Sequence, residues 1–88
     1  MENYYTYIIY SEKLYKYYTG STSDIEKRLE RHNAGATKFT KNGRPWKIVY
    51  YEQFENRKEA VNREMYIKKQ KSRIFIVDLI ESDKYKEE

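Results

Sequence analysis

Residues 4–10, Tyr-Tyr-Thr-Tyr-Ile-Ile-Tyr, are almost all aromatic or β-branched and contain neither Gly nor Pro, a pattern that predicts a β-strand. Ser11 to Leu14 is polar enough for a turn, and residues 15–19, closed by Gly20, predict a second strand. A short loop between two such runs favours an antiparallel hairpin. Ser23-Asp24-Ile25-Glu26 has the Ser-x-x-Glu form of a capping box, so a helix is expected from there to about Ala34. Gly35 then falls where a left-handed backbone ends a helix. Residues 36–45 contain turn formers without a period and read as a basic loop. Trp46–Phe54 is the third expected strand, and Asn56-x-x-Glu59 offers a cap for a helix to about Gln70. A last helix is expected over 73–82, although Ile74-Phe75-Ile76-Val77 is β-branched enough to suit a strand. The order β-β-α-β-α-α is an α+β pattern, a small antiparallel sheet with helices packed on it.

Composition narrows the class. Eighty-eight residues make one domain, expected here as 1–82 with 83–88 a frayed tail. Eleven of the residues counted as hydrophobic are tyrosine, so phenol rings must supply much of the core and each hydroxyl needs a place. Cysteine is absent, which excludes disulfides, thiolate zinc sites and a cysteine nucleophile. The longest apolar run, residues 74–77, is far below the ~18 residues of a membrane span. The first residues lack the charged and apolar regions of a signal peptide, and a cytoplasmic location without membrane association is expected.

The net charge of +4 is modest, but its distribution is not even. Residues 24–47 carry seven bases against three acids and residues 57–73 seven against two, while residues 74–88 are acidic. If the two basic segments share a face they attract a polyphosphate; ordinary solvated helix faces are the plainer explanation. Lys27, Arg31, Lys38, Lys41, Arg44 and Lys68 are the candidate nucleic-acid contacts in them.

Some residues sit where packing alone does not want them. On a helical wheel of the 57–70 segment, Glu64 lies inside the apolar arc with Ala60, Val61 and Ile67. A carboxylate there needs compensation, either from a base such as Lys68 at i+4 or from a role as metal ligand or catalytic carboxylate. On the first helix Arg28 and His32, the only histidine, stack at i, i+4 along the edge of the buried stripe. The guanidinium opposes protonation of the imidazole. No Ser–His–carboxylate set, glycine-rich phosphate loop or His-x-x-x-His pair is present, so any chemistry must use phenols, an Arg, a His and a Glu.

The spaced set Tyr5-Thr6-Tyr7, Tyr18-Thr19-Gly20 and Asp24 to His32, with Arg44-Pro45-Trp46-Lys47-Ile48-Val49-Tyr50 and Glu59 to Glu64, resembles the GIY-YIG nuclease domain, in its short stand-alone bacterial subfamily. Tyr5, Thr6 and Thr19 stand where the family motifs carry Gly, Ile and Ile, and Lys71-Ser72-Arg73-Ile74-Phe75 replaces a more basic run. The resemblance implies a three-stranded antiparallel sheet flanked by helices. It also implies hydrolysis of DNA phosphodiesters with one divalent ion, Mg²⁺ or Mn²⁺. By position, Tyr7 and Tyr18 match the motif tyrosines, Arg28 the phosphate-binding arginine, His32 the helix histidine and Glu64 the metal ligand.

The function expected is therefore a metal-dependent endonuclease with little sequence specificity, acting on DNA or on a particular DNA structure in repair or processing. RNA as substrate stays open, as does a protein partner that supplies specificity. The alternative is a non-catalytic module on the same fold that binds nucleic acid or protein.

Overall fold

A computed structural model describes residues 3–86, with side chains described as far as Ser82. The elements are β1 (Tyr4–Ser11), β2 (Lys16–Thr22), α1 (Ile25–Asn33), β3 (Trp46–Phe54), α2 (Arg57–Gln70) and α3 (Arg73–Lys86), with one 3-10 turn, Lys41–Gly43, in the loop before β3. The sheet order is β2-β1-β3, antiparallel throughout. None of the described helices is long and apolar enough to cross a membrane.

β1 is central and covered on both faces, which explains its lack of simple alternation. Thr6, Tyr7, Ile8 and Ile9 are all buried. Thr6 faces α2, where its hydroxyl donates to the Ala60 carbonyl at 2.7 Å. On the opposite face Tyr7 and Ile9 pack with Trp46, and Tyr18, Leu29 and Ile48 close around them. A bulge interrupts the β1–β3 ladder: Ile8 pairs with Tyr50 and Ile9 with Ile48, leaving Val49 as the extra residue that bends the strand.

β2 runs past its expected end. Gly20 lies inside the strand, opposite Tyr7, and pairing continues to Thr22. The turn before it keeps Tyr15 out of the strand, with φ at +55°.

The cap of α1 is Asp24 rather than Ser23. Its carboxylate accepts from the Lys27 amide at 3.0 Å, and the Thr22 hydroxyl accepts from the Asp24 amide at 3.1 Å. A carboxylate at this position also meets the positive end of the helix. Gly35 is left-handed at φ +80°, as its place after the helix predicts.

Asn56 caps α2 by accepting from the Glu59 amide at 2.9 Å, and its amide group reaches the Glu59 carboxylate. Arg63 grips Glu52 of β3 through Nε and Nη2 at 3.0–3.1 Å, and the Tyr50 hydroxyl donates to the same carboxylate. These contacts pin α2 across the sheet.

Ile74-Phe75-Ile76-Val77 is helical, started by the Ser72 hydroxyl accepting from the Phe75 amide at 3.1 Å. Phe75 packs edge-on against Tyr66 of α2. The helix backbone continues to Lys86, through residues 83–86 of the expected tail, and residues 87–88 lie outside the described part.

Asn33 joins the end of α1 to the start of β3. Its amide imitates a neighbouring strand: Oδ1 accepts from the Trp46 amide at 2.6 Å while Nδ2 donates to the Trp46 carbonyl at 3.1 Å. Removing it strands a backbone donor, a loss of about 1–3 kcal/mol. Asn33→Ala is expected to lower the unfolding free energy in urea by about that amount, with unchanged m-value.

Candidate functional site

Tyr7 is the hub. Its side chain is 1% exposed, and its ring lies across the backbone of Gly20, its partner in the ladder. A methyl group on Gly20 would stand 2.5 Å from the Tyr7 hydroxyl and 2.7 Å from Cζ, so only glycine leaves room for the phenol there. The Tyr-x-Gly spacing thus has a steric meaning: the glycine is the floor on which the other tyrosine rests.

α1 supplies the partner. Leu29 packs into the core below, and His32, buried one turn later, brings Nε2 to 2.9 Å from the Tyr7 hydroxyl. The other ring nitrogen, Nδ1, is 2.7 Å from the Thr40 hydroxyl. Thr40 in turn directs its hydroxyl to the Thr37 carbonyl at 3.4 Å. With that hydrogen committed, Thr40 accepts from Nδ1–H, and Nε2 is the lone-pair nitrogen that accepts from Tyr7. The result is a directed chain, Tyr7 to His32 to Thr40 to Thr37. Tyr18 lies edge-on to the imidazole, with ring centroids 5.2 Å apart.

Electrostatics follow from this burial. Loss of solvent pushes the Tyr7 phenol up to about 12; the Arg28 guanidinium beside it pulls the other way, and Tyr18 and Glu64 add to the rise. His32 is held below the ordinary imidazole range, first by burial and then by Arg28 and Arg31. Both groups therefore rest in their neutral forms at neutral pH.

Glu64 arrives from the other side of the sheet. β2 is an edge strand, and Ser21, next to Gly20, points its hydroxyl toward α2. That hydroxyl donates to Glu64 Oε1 at 2.7 Å, and Lys68 Nζ holds Oε2 at 2.6 Å. Lys68 Nζ also sits 5.6 Å from the centre of the Tyr18 ring. Glu64 and Lys68 thus reach around the β2 edge toward the phenols.

Of the four other candidate site residues, far apart in sequence, His32 hydrogen-bonds the Tyr7 hydroxyl, Arg28 acts on it most strongly by charge, and Tyr18 and Glu64 act on it more weakly. Among the described residues no group of three or more His, Cys, Asp or Glu side chains could hold a metal. Glu64, the ligand that the resemblance implies, would offer one carboxylate. That fits a magnesium-type ion, which keeps several waters and needs only one or two carboxylates; it does not fit zinc, which takes several protein nitrogen or sulfur ligands.

The basic residues separate into groups. Lys27 and Arg31 are exposed on α1, and Lys38 and Lys41 are exposed in the loop after it. Arg44 donates from Nε to the Lys41 carbonyl at 2.8 Å and borders an open groove of about 350 Å³ shared with Lys13, Asn33, Lys41, Asn42 and Pro45. Lys68, half-exposed, is paired with Glu64. A second depression, about 440 Å³ between Tyr5, Tyr51 and the start of α1, contains none of the five.

Sequence reasoning missed Thr40 and Ser21. Thr40 lies in a loop without periodicity, so nothing in the pattern aims it at His32. Ser21 lay beyond the expected end of β2; a strand continued through Gly20 would have placed it on the α2 face.

The family model described as the GIY-YIG catalytic domain matches residues 3–76. A UPF0213 protein of Clostridium perfringens is 49% identical over 72 residues, covering 81% of this chain and 76% of the relative. One from Staphylococcus saprophyticus is 45% identical over 69 residues, covering 77% and 83%. The solution NMR structure of a UPF0213 protein from Bacillus halodurans superposes with a TM-score of 0.55 at 31% identity, covering 90% of this chain and 83% of that one. On the sequence, the fold and these likenesses together, the chain belongs to the GIY-YIG catalytic domain family, a family of nuclease domains.

Proposed function

We propose that this protein is a divalent-metal-dependent endonuclease that hydrolyses DNA phosphodiester bonds with little sequence specificity. The observation that carries the reading is the setting of Tyr7: a buried phenol hydrogen-bonded to a neutral imidazole with a guanidinium beside it, and a carboxylate on the neighbouring helix whose charge reaches it more weakly. A packing tyrosine needs none of these neighbours.

A phosphodiester is anionic and resists attack by water, so positive charge must meet the charge that builds at phosphorus. Arg28 is the group suited to grip the phosphate through paired hydrogen bonds. Glu64 would hold the hydrated cation, which when bound supplies further positive charge to the phosphate and leaving oxygen.

A phenol with its pKa at about 12 is not an anion at neutral pH. Tyr7 can still accept a proton if it gives up its own in the same step. The attacking water passes a proton to the Tyr7 oxygen while the phenol proton moves to His32 Nε2, and Nδ1–H stays on Thr40. Water oxygen bonds to phosphorus, the leaving oxygen departs with the electron pair of the broken P–O bond, and solvent protonates it. Arg28 opposes the charge that then appears on His32. Pairing with the phosphate quenches that opposition, so the relay becomes easier only when substrate is in place.

Wild-type protein with Mg²⁺ or Mn²⁺ is expected to nick plasmid, branched or single-stranded DNA, and Glu64→Gln to be about 10²–10³-fold slower. Identical products from both proteins on every substrate would remove the hydrolase reading. Salt-sensitive binding without cleavage would instead indicate a binding module.

Lys68 and the metal compete for one carboxylate. In calorimetric titrations with Mn²⁺, Lys68→Gln is expected to bind about two- to fivefold more tightly than wild type, as the loss of a partly exposed ion pair implies. Glu64→Gln should show no specific site.

The cleavage rate should be level from about pH 6.5 to 9, because Tyr7 stays protonated and His32 neutral there. It should fall only below the ordinary imidazole pKa, since His32 is shifted down. His32→Gln should be slow and lack that acidic limb.

A further inference from the structure

The loop that anchors His32 also carries an apolar side chain with no packing role. Phe39 is 86% exposed, more than any other large hydrophobic residue described. The other exposed aromatics are mostly engaged. Tyr51 meets Tyr5 edge-on, and Tyr66 contacts Phe75 and the Arg63 guanidinium. Phe39 has no ring or cation partner among the described residues.

The segment holding it is firmly tied. The Thr40 amide donates to the Thr37 carbonyl at 3.2 Å, which puts Lys38 and Phe39 at the two central positions of a tight turn. Thr40 is fully buried; its hydroxyl holds His32, and its carbonyl accepts from the Trp46 indole at 2.7 Å and from the Gly43 amide at 3.1 Å. The aromatic ring is therefore presented on a fixed support, one residue from the buried end of the Tyr7–His32 chain.

Its neighbours along the chain are basic. Lys38 precedes it and Lys41 follows two residues on, and Arg44 and Lys13 border the groove beside Lys41. No acidic residue lies between Glu30 and Glu52. A firmly tied, exposed π-face flanked along the chain by Lys38 and Lys41 suits the two parts of a nucleic-acid strand: an unstacked base on the ring and phosphates on the amines. A perfect duplex offers no free base face, so this surface distinguishes unpaired from paired strands.

We propose that Phe39 is a stacking platform for an unpaired nucleobase, with Lys38, Lys41 and Arg44 holding the adjacent phosphates, so that single-stranded or splayed segments are the preferred ligands. The proposal rests on the reading that this chain handles nucleic acid, and it names the substrate class for that site.

Binding in EDTA tests it apart from turnover. Fluorescein-labelled oligo(dT), oligo(rU) and a blunt DNA duplex of equal length would be titrated by anisotropy at one fixed salt concentration. Phe39→Ala is expected to weaken binding of at least one single strand by about 5- to 100-fold, the scale of one lost base stack, and to change duplex binding by less than about twofold. Phe39→Tyr should restore the single-strand affinity. Equal affinity of Phe39→Ala and wild type for both single strands would overturn the proposal, as would an equal loss on single strand and duplex. Since no divalent ion is present, either result leaves the Glu64 cleavage test standing, and an inactive protein that binds through Phe39 would sink the hydrolase reading alone.

Discussion

A phenol donating to an imidazole, both out of solvent, fixes the geometry of everything around it. Tyr7 can lie where it does because Gly20 has no side chain, and His32 can meet it because Leu29 seats α1 on the sheet. The second imidazole nitrogen is then left needing an acceptor in a buried place, where an unpaired polar group is costly. Thr40 supplies it, and so pulls the loop after α1 inward. The same threonine accepts the Trp46 indole, which closes the core between β1 and β3. One buried polar line therefore organises the sheet face, the first helix and an otherwise irregular loop.

Much of this was legible before any coordinates. Aromatic and β-branched runs gave the strands, and Asn56 and Gly35 behaved as their positions required. The stacking of Arg28 on His32 pointed to two residues that stand beside Tyr7, and the conflict of Glu64 with its apolar arc pointed to the Lys68 partner that it has. What failed has local causes. Ser23 fits the Ser-x-x-Glu form, but Asp24 is the better cap once Thr22 fixes its amide. Gly20 looked like the end of a strand because glycine commonly ends strands; here it is the place where a side chain crosses. The role of Thr40 depends on a contact between residues in a helix and a loop, and no spacing rule carries that information.

Glu64 illustrates how a plain explanation and a functional one coexist. The expected i, i+4 partner is present: Lys68 neutralises the carboxylate, and Ser21 satisfies its other oxygen. Nothing about the carboxylate is then anomalous energetically. Yet its partner is a long, half-exposed, movable amine, and the bond from Ser21 ties the carboxylate to β2, the edge strand that carries Tyr18. A structural ion pair and the metal ligation proposed for Glu64 would, in this place, use the same carboxylate.

The strand that bears Tyr7 is paired on both sides and covered on both faces. Such a segment opens with the highest free energy in a domain, close to that of global unfolding. The Tyr7 phenol is thus set in the part of the molecule that yields last on heating, while Lys38 and Phe39 ride on a surface turn. Loss of the central geometry and melting of the whole fold become one event, and freedom of movement belongs to the periphery alone.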